Sequence, residues 1–136
     1  MRGLQLTADL HGCADARAAL TDPAALREAC LAAVGAVGLT AVGELFHRYA
    51  PATGAAADAP VGITGVVLLA ESHLAVHTWP ELGAATLDVY VCNLGRDNSA
   101  RAHDLLERLV TIFAPAQVER QTLDRGNPPV HDGVSR

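Results

Sequence analysis

Residues 61–92 read VGITGVVLLAESHLAVHTWPELGAATLDVYVC. Three strand patterns follow one another here with only short breaks. Val61 to Ala70 is an apolar run of the kind an interior strand carries. Leu74 to Trp79 forms the second. Ala84 to Cys92 forms the third, and it alternates. Ala85, Leu87, Val89 and Val91 point one way, and Thr86, Asp88, Tyr90 and Cys92 point the other.

Upstream, Leu4, Leu6 and Ala8 alternate with Gln5, Thr7 and Asp9, which predicts another half-buried strand. Asp22 is a suitable N-cap and Pro23 suits the first helical position. Leu26, Cys30, Val34 and Val37 then recur at helical spacing, and Gly38 can end the helix in a left-handed conformation. Leu39 to Tyr49 reads as a strand with mixed faces. The stretch 50–60, APATGAAADAP, is a surface loop of small residues and proline. Downstream, Asp97 or Asn98 can cap a second helix, with Ala102, Leu105, Leu106, Leu109 and Phe113 as its buried stripe and Pro115 as its stop. Gln117 to Gln121 is a last strand. From Arg125 the Gly- and Pro-rich tail is expected to fray.

Two helices among about six strands predict an α+β fold. It is a two-layer α/β sandwich, a mostly antiparallel sheet with two helices on one face. The other face then needs cover, which a second copy of the chain can supply.

The chain has 136 residues, half of them hydrophobic, and a net charge of −5. That suits a single domain, 1–136, with a real core. No basic run is present, which argues against nucleic acid and anionic membranes as partners. No apolar run is long enough to span a bilayer, and the polar N-terminal stretch lacks a signal-peptide core. The cytoplasm is the expected location. Cys13, Cys30 and Cys92 are odd in number and widely spaced, so neither a disulfide framework nor a zinc knuckle is supported. Cys13 and Cys30 read as packing residues. His11, His103 and His131 are scattered and make no metal site.

The chemistry concentrates in LAESHLAVHTWPE, residues 69–81. A serine hydroxyl can attack the carbonyl of the preceding residue where the backbone is strained, turning an amide into an ester. Loss of the serine Cα proton then expels the carboxylate, and hydrolysis leaves a pyruvoyl group at a new N-terminus. Such a carbonyl condenses with a substrate amine and accepts electrons as carbon dioxide leaves, work usually given to a pyridoxal coenzyme.

The segment resembles the processing and active-site region of the prokaryotic S-adenosylmethionine decarboxylases. The matching residues are Glu71-Ser72-His73, Val76-His77-Thr78-Trp79-Pro80-Glu81 and Asp88-Val89-Tyr90-Val91-Cys92, with Phe46-His47-Arg48-Tyr49 upstream. The resemblance implies cleavage between Glu71 and Ser72 into residues 1–71 and 72–136. It implies that Ser72 becomes the pyruvoyl cofactor, that His77 takes the Cα proton, and that Cys92 protonates the substrate carbon. It also implies that Glu81 holds ribose hydroxyls and that Tyr49 stacks on adenine. Trp79 is either a second stacking face or a core residue. The implied activity supplies the aminopropyl donor for spermidine synthesis, from a homodimer with its site at or near the dimer interface.

Four departures stand out. Thr64 occupies the place of a processing serine, Tyr49 replaces the usual phenylalanine, and the 50–60 loop is longer. In the fourth, Leu82, Ala84 and Asn93 replace two aromatics and a glycine. These leave two alternatives: a pyruvoyl decarboxylase of ornithine or arginine, or a regulatory homologue that never processes. One geometric problem is also visible. On a straight strand Ser72 and His77 point to opposite faces roughly 16 Å apart. They meet only through a sharp turn, expected at Glu71 to His73, or through a second chain.

Overall fold

The computed structural model describes residues 2–126. Its elements run β1 (Gly3–His11), α1 (Arg17–Thr21), α2 (Pro23–Ala36), β2 (Ala41–Arg48), β3 (Ile63–Leu69), β4 (Ser72–Trp79), a 3-10 turn (Pro80–Leu82), β5 (Ala84–Cys92), α3 (Ser99–Phe113) and β6 (Gln117–Arg125). The strands form one sheet in the order β2-β3-β4-β5-β1-β6, and every neighbouring pair is antiparallel. The helices lie on one face of it, so the α+β two-layer architecture holds.

The opening stretch builds the β3-β4-β5 meander. Its register pairs Leu69 with Ser72, Thr64 with His77, His73 with Tyr90 and Trp79 with Ala84. Alternate residues face the helices: Ile63, Val67 and Leu69 from β3, Leu74 and Val76 from β4, Leu87 and Val89 from β5. Against them α3 sets Leu105, Leu109 and Phe113, and α2 sets Leu26, Cys30 and Val34. Burying each of these larger side chains contributes about 1.5–3 kcal/mol before entropy is counted.

Asp22 caps α2 as expected, its Oδ1 accepting from the N–H groups of Ala24 and Ala25 at 3.0 and 3.3 Å. Gly38 follows with φ +81, the left-handed residue that ends the helix. The third helix, α1, was not expected. It has five residues and no side-chain cap, too short for a periodic signal, yet it buries Leu20. Strand β6 also runs past Gln121 to Arg125, paired with β1 along its length. Its sequence is polar on both faces because it is an edge strand, so no alternation marks it. The tail beyond Gly126, with His131, lies outside the described residues.

Among the described residues no helix covers the second sheet face, the bare face. It carries His73 and His77 from β4 and Asp88 and Tyr90 from β5, with His73 stacked on Tyr90 at 5.7 Å. Leu45, Leu68 and Leu123 are each more than half exposed. Among the described residues no helix is long and apolar enough to cross a membrane.

Candidate active site

Ser72 is the first residue of β4 and is buried at 9% exposure. Its Oγ accepts a hydrogen bond from the Cys92 N–H at 3.0 Å. The turn before it is only Ala70 and Glu71, and Glu71 has φ +54. Two-residue hairpins favour glycine or asparagine at such a position, because a Cβ there is strained. The strain therefore sits at the residue whose carbonyl the serine would attack. A cavity of about 230 Å³ opens here, lined by Glu71, Ser72, Cys92, Leu94, Arg96 and Asn98 among others.

Cys92 is fixed from behind by two asparagines. Its carbonyl accepts from Asn98 Nδ2 at 3.1 Å, and the Asn98 N–H donates to Asn93 Oδ1 at 2.8 Å. Asn93 Nδ2 in turn donates to Ser99 Oγ at 3.0 Å. This clasp was not foreseen, since sequence marks Asn98 only as a possible helix cap. The cap contact is instead made by Asp97, whose Oδ1 accepts from the Ser99 N–H at 2.9 Å. Hydrogen bonds from Ser99 hold the Asp97 carboxyl below its ordinary range. The other cysteines, Cys13 and Cys30, are buried in the core. Burial raises both thiols, and pushes Cys30 up to about 12.

The remaining site residues gather elsewhere. Thr64 Oγ1 lies 3.0 Å from His77 Nδ1 and 2.8 Å from the Tyr49 hydroxyl. With Trp79 and Glu81 they line a cavity of about 300 Å³. Trp79 is 38% exposed and its ring sits 6.1 Å from that of His77, so it belongs to the cavity and not to the core. Gly62 completes the wall. A Cβ there would collide with the Thr78 carbonyl oxygen, so only glycine lets β3 enter this close. Thr78, buried behind the wall, donates to the Leu20 carbonyl at 2.8 Å and accepts from the Ile63 N–H at 2.9 Å.

The expected sharp bend at Glu71 to His73 does not bring Ser72 to His77. The turn is complete at Ala70–Glu71, and β4 runs unbroken from Ser72 to Trp79. Alternation puts Ser72 on the helix side and His77 on the bare side. The candidate residues thus fall into two clusters at opposite ends of one strand: Glu71, Ser72 and Cys92 at one, Tyr49, Thr64, His77, Trp79 and Glu81 at the other.

The sequence model of the S-adenosylmethionine decarboxylase family matches residues 4–126. The S-adenosylmethionine decarboxylase proenzyme of Persephonella marina is 34% identical over 129 residues, 95% of this chain and 86% of that one. The proenzyme of the same name from Aquifex aeolicus is 36% identical over 125 residues, 91% and 81% of the two chains. The crystal structure of the Aquifex aeolicus adenosylmethionine decarboxylase superposes with a TM-score of 0.75 at 32% identity, covering 98% of this chain and 97% of that one. The family match and the shared fold together define a small α+β decarboxylase. The chain belongs to the S-adenosylmethionine decarboxylase family.

Proposed function

We propose that this chain is a self-processing decarboxylase of S-adenosylmethionine. It cuts itself between Glu71 and Ser72 and works as a homodimer. The observation that carries the reading is that junction, where left-handed backbone at Glu71 abuts a buried serine held by the Cys92 N–H. The residues there fit a pyruvoyl group made at position 72. The side chain is enclosed, Cys92 adjoins it, and the bond to be broken lies in a turn whose ends can part. Once formed, the group supplies the electron-accepting carbonyl that other decarboxylases take from an added coenzyme.

This chain's own residues do the rest. Ser72 Oγ attacks the Glu71 carbonyl, with backbone strain lowering the barrier. His77, held through Nδ1 by Thr64, takes the Cα proton and so drives cleavage to completion. Glu81 offers two acceptor oxygens to ribose hydroxyls, and the faces of Tyr49 and Trp79 flank adenine. Cys92, with its backbone clasped by Asn98, delivers a proton to the product carbon.

The straight β4 means that His77 and Ser72 of one chain cannot serve each other. A second copy on the bare sheet face solves this by bringing its His77 to the cavity that opens at the Glu71–Ser72 end of β4. Exposed Leu45, Leu68 and Leu123 on that face favour such cover. The relatives are named for S-adenosylmethionine and as proenzymes. That weighs against ornithine or arginine, and against a homologue that never processes.

The test is complementation. Ser72→Ala and His77→Ala chains are expressed separately and together, and fragment masses and carbon dioxide release from S-adenosylmethionine are measured. Neither variant alone should split or decarboxylate. In the mixture the His77→Ala chain should split before its own Ser72, using the imidazole of its partner. An unsplit mixture, beside wild type that splits, would refute the shared site. Wild type that stays whole at about 14 kDa would refute self-processing.

A further inference from the structure

Two of the departures noted in the sequence, Thr64 and Tyr49, meet at one hydrogen bond. The Tyr49 hydroxyl lies 2.8 Å from Thr64 Oγ1, which lies 3.0 Å from His77 Nδ1. The tyrosine ring is braced on its other side by an edge contact with His47, at 4.9 Å and 86°. His47 stands directly opposite Thr64 in the β2–β3 register.

We propose that Tyr49 is a positioning residue for His77, acting through Thr64, and that tyrosine and threonine here form a matched pair. The inference rests on the function proposed above and deepens it. In the elimination step the Cα–H bond of residue 72 breaks and its electrons form the Cα–Cβ double bond. The Cβ–Oγ bond breaks, the Glu71 carboxylate leaves, and the proton goes to His77. A protonated imidazole has two N–H donors and no acceptor. Its Nδ1–H must then be received by Thr64 Oγ1, so the single hydrogen of Thr64 must point elsewhere. Among the described residues the atom in reach is the Tyr49 oxygen. The phenol therefore accepts from Thr64 as His77 becomes charged, and each bond in the chain polarises the next.

Threonine makes this acceptor matter. Its branched Cβ leaves few χ1 positions, so the hydroxyl cannot swing freely to a different acceptor. A serine at position 64 would have that freedom and would depend less on the tyrosine. A phenylalanine at position 49 would still stack on a base but would leave the threonine hydrogen unreceived.

The experiment follows cleavage of denatured chains returned to native buffer, with and without hydroxylamine, which cuts the ester but not the amide. Tyr49→Phe should slow elimination about fivefold to tenfold, the loss of one charge-assisted hydrogen bond. Hydroxylamine-sensitive ester should accumulate, because the acyl shift before it is untouched. Thr64→Ser in the Tyr49→Phe background should restore elimination to within about twofold. An elimination rate in Tyr49→Phe equal to wild type overturns the proposal, as does a double variant whose losses simply add. Failure of wild type itself to split would instead withdraw the underlying function, so the two failures are told apart.

Discussion

Replacing Glu71 tests whether the hairpin drives its own cleavage. Glu71 sits at φ +54 in a two-residue turn. Left-handed backbone costs a residue with a Cβ roughly 1–2 kcal/mol, and glycine almost nothing. Glu71→Ala removes the carboxylate and keeps the strain. Glu71→Gly removes both, so the difference between them isolates the backbone. If the strain is released on the way to the ester, the two barriers differ by about 1 kcal/mol. That makes Glu71→Gly about fivefold slower than Glu71→Ala. Asparagine tolerates this region better than most residues, so Glu71→Asn should fall between them. The assay is intact mass against time after the unfolded chain is returned to native buffer, with Glu71→Gln as the control for charge. A glycine variant that splits as fast as the alanine variant would show that strain is not spent on the reaction.

Thr78→Val should destabilise the fold by about 2–3 kcal/mol, read from denaturant melts. It strips the Leu20 carbonyl and the Ile63 N–H of a buried partner that both use. Cys30 makes an alkaline prediction. Burial lifts its thiol from 9.0 to about 12 in the fold. A raised folded pKa means its contribution is whole below pH 9 and is lost as pH climbs toward 12, where the unfolded chain alone carries thiolate. Stability measured from pH 9 upward should fall more steeply in wild type than in Cys30→Ala; equal slopes would contradict this.

Much of the fold is readable because its signals are local. Alternation in Ala84–Cys92 and the Asp22-Pro23 start of α2 each depend on neighbours a few residues apart, and both elements stand where they were expected. The misses are equally physical. Helix α1 is a little over one turn, and β6 is an edge strand whose polarity hides its pairing. The candidate site divides the same way. Ser72, His77, Glu81 and Cys92 stand out by residue type and spacing. The Asn93–Asn98 clasp and the Tyr49–Thr64 bond join atoms that no local pattern relates.

What the sequence by itself determined is the inventory: which segments become strands, and which serine, histidine and cysteine are the candidates for the chemistry. Periodicity and side-chain type are properties of a short stretch, so they survive without a third dimension. Only the tertiary structure decided where those groups stand. The turn closes at Glu71 and β4 then runs straight, because pairing with β3 on one side and β5 on the other holds it extended. That cross-strand constraint sends Ser72 and His77 to opposite faces, at the two ends of one strand.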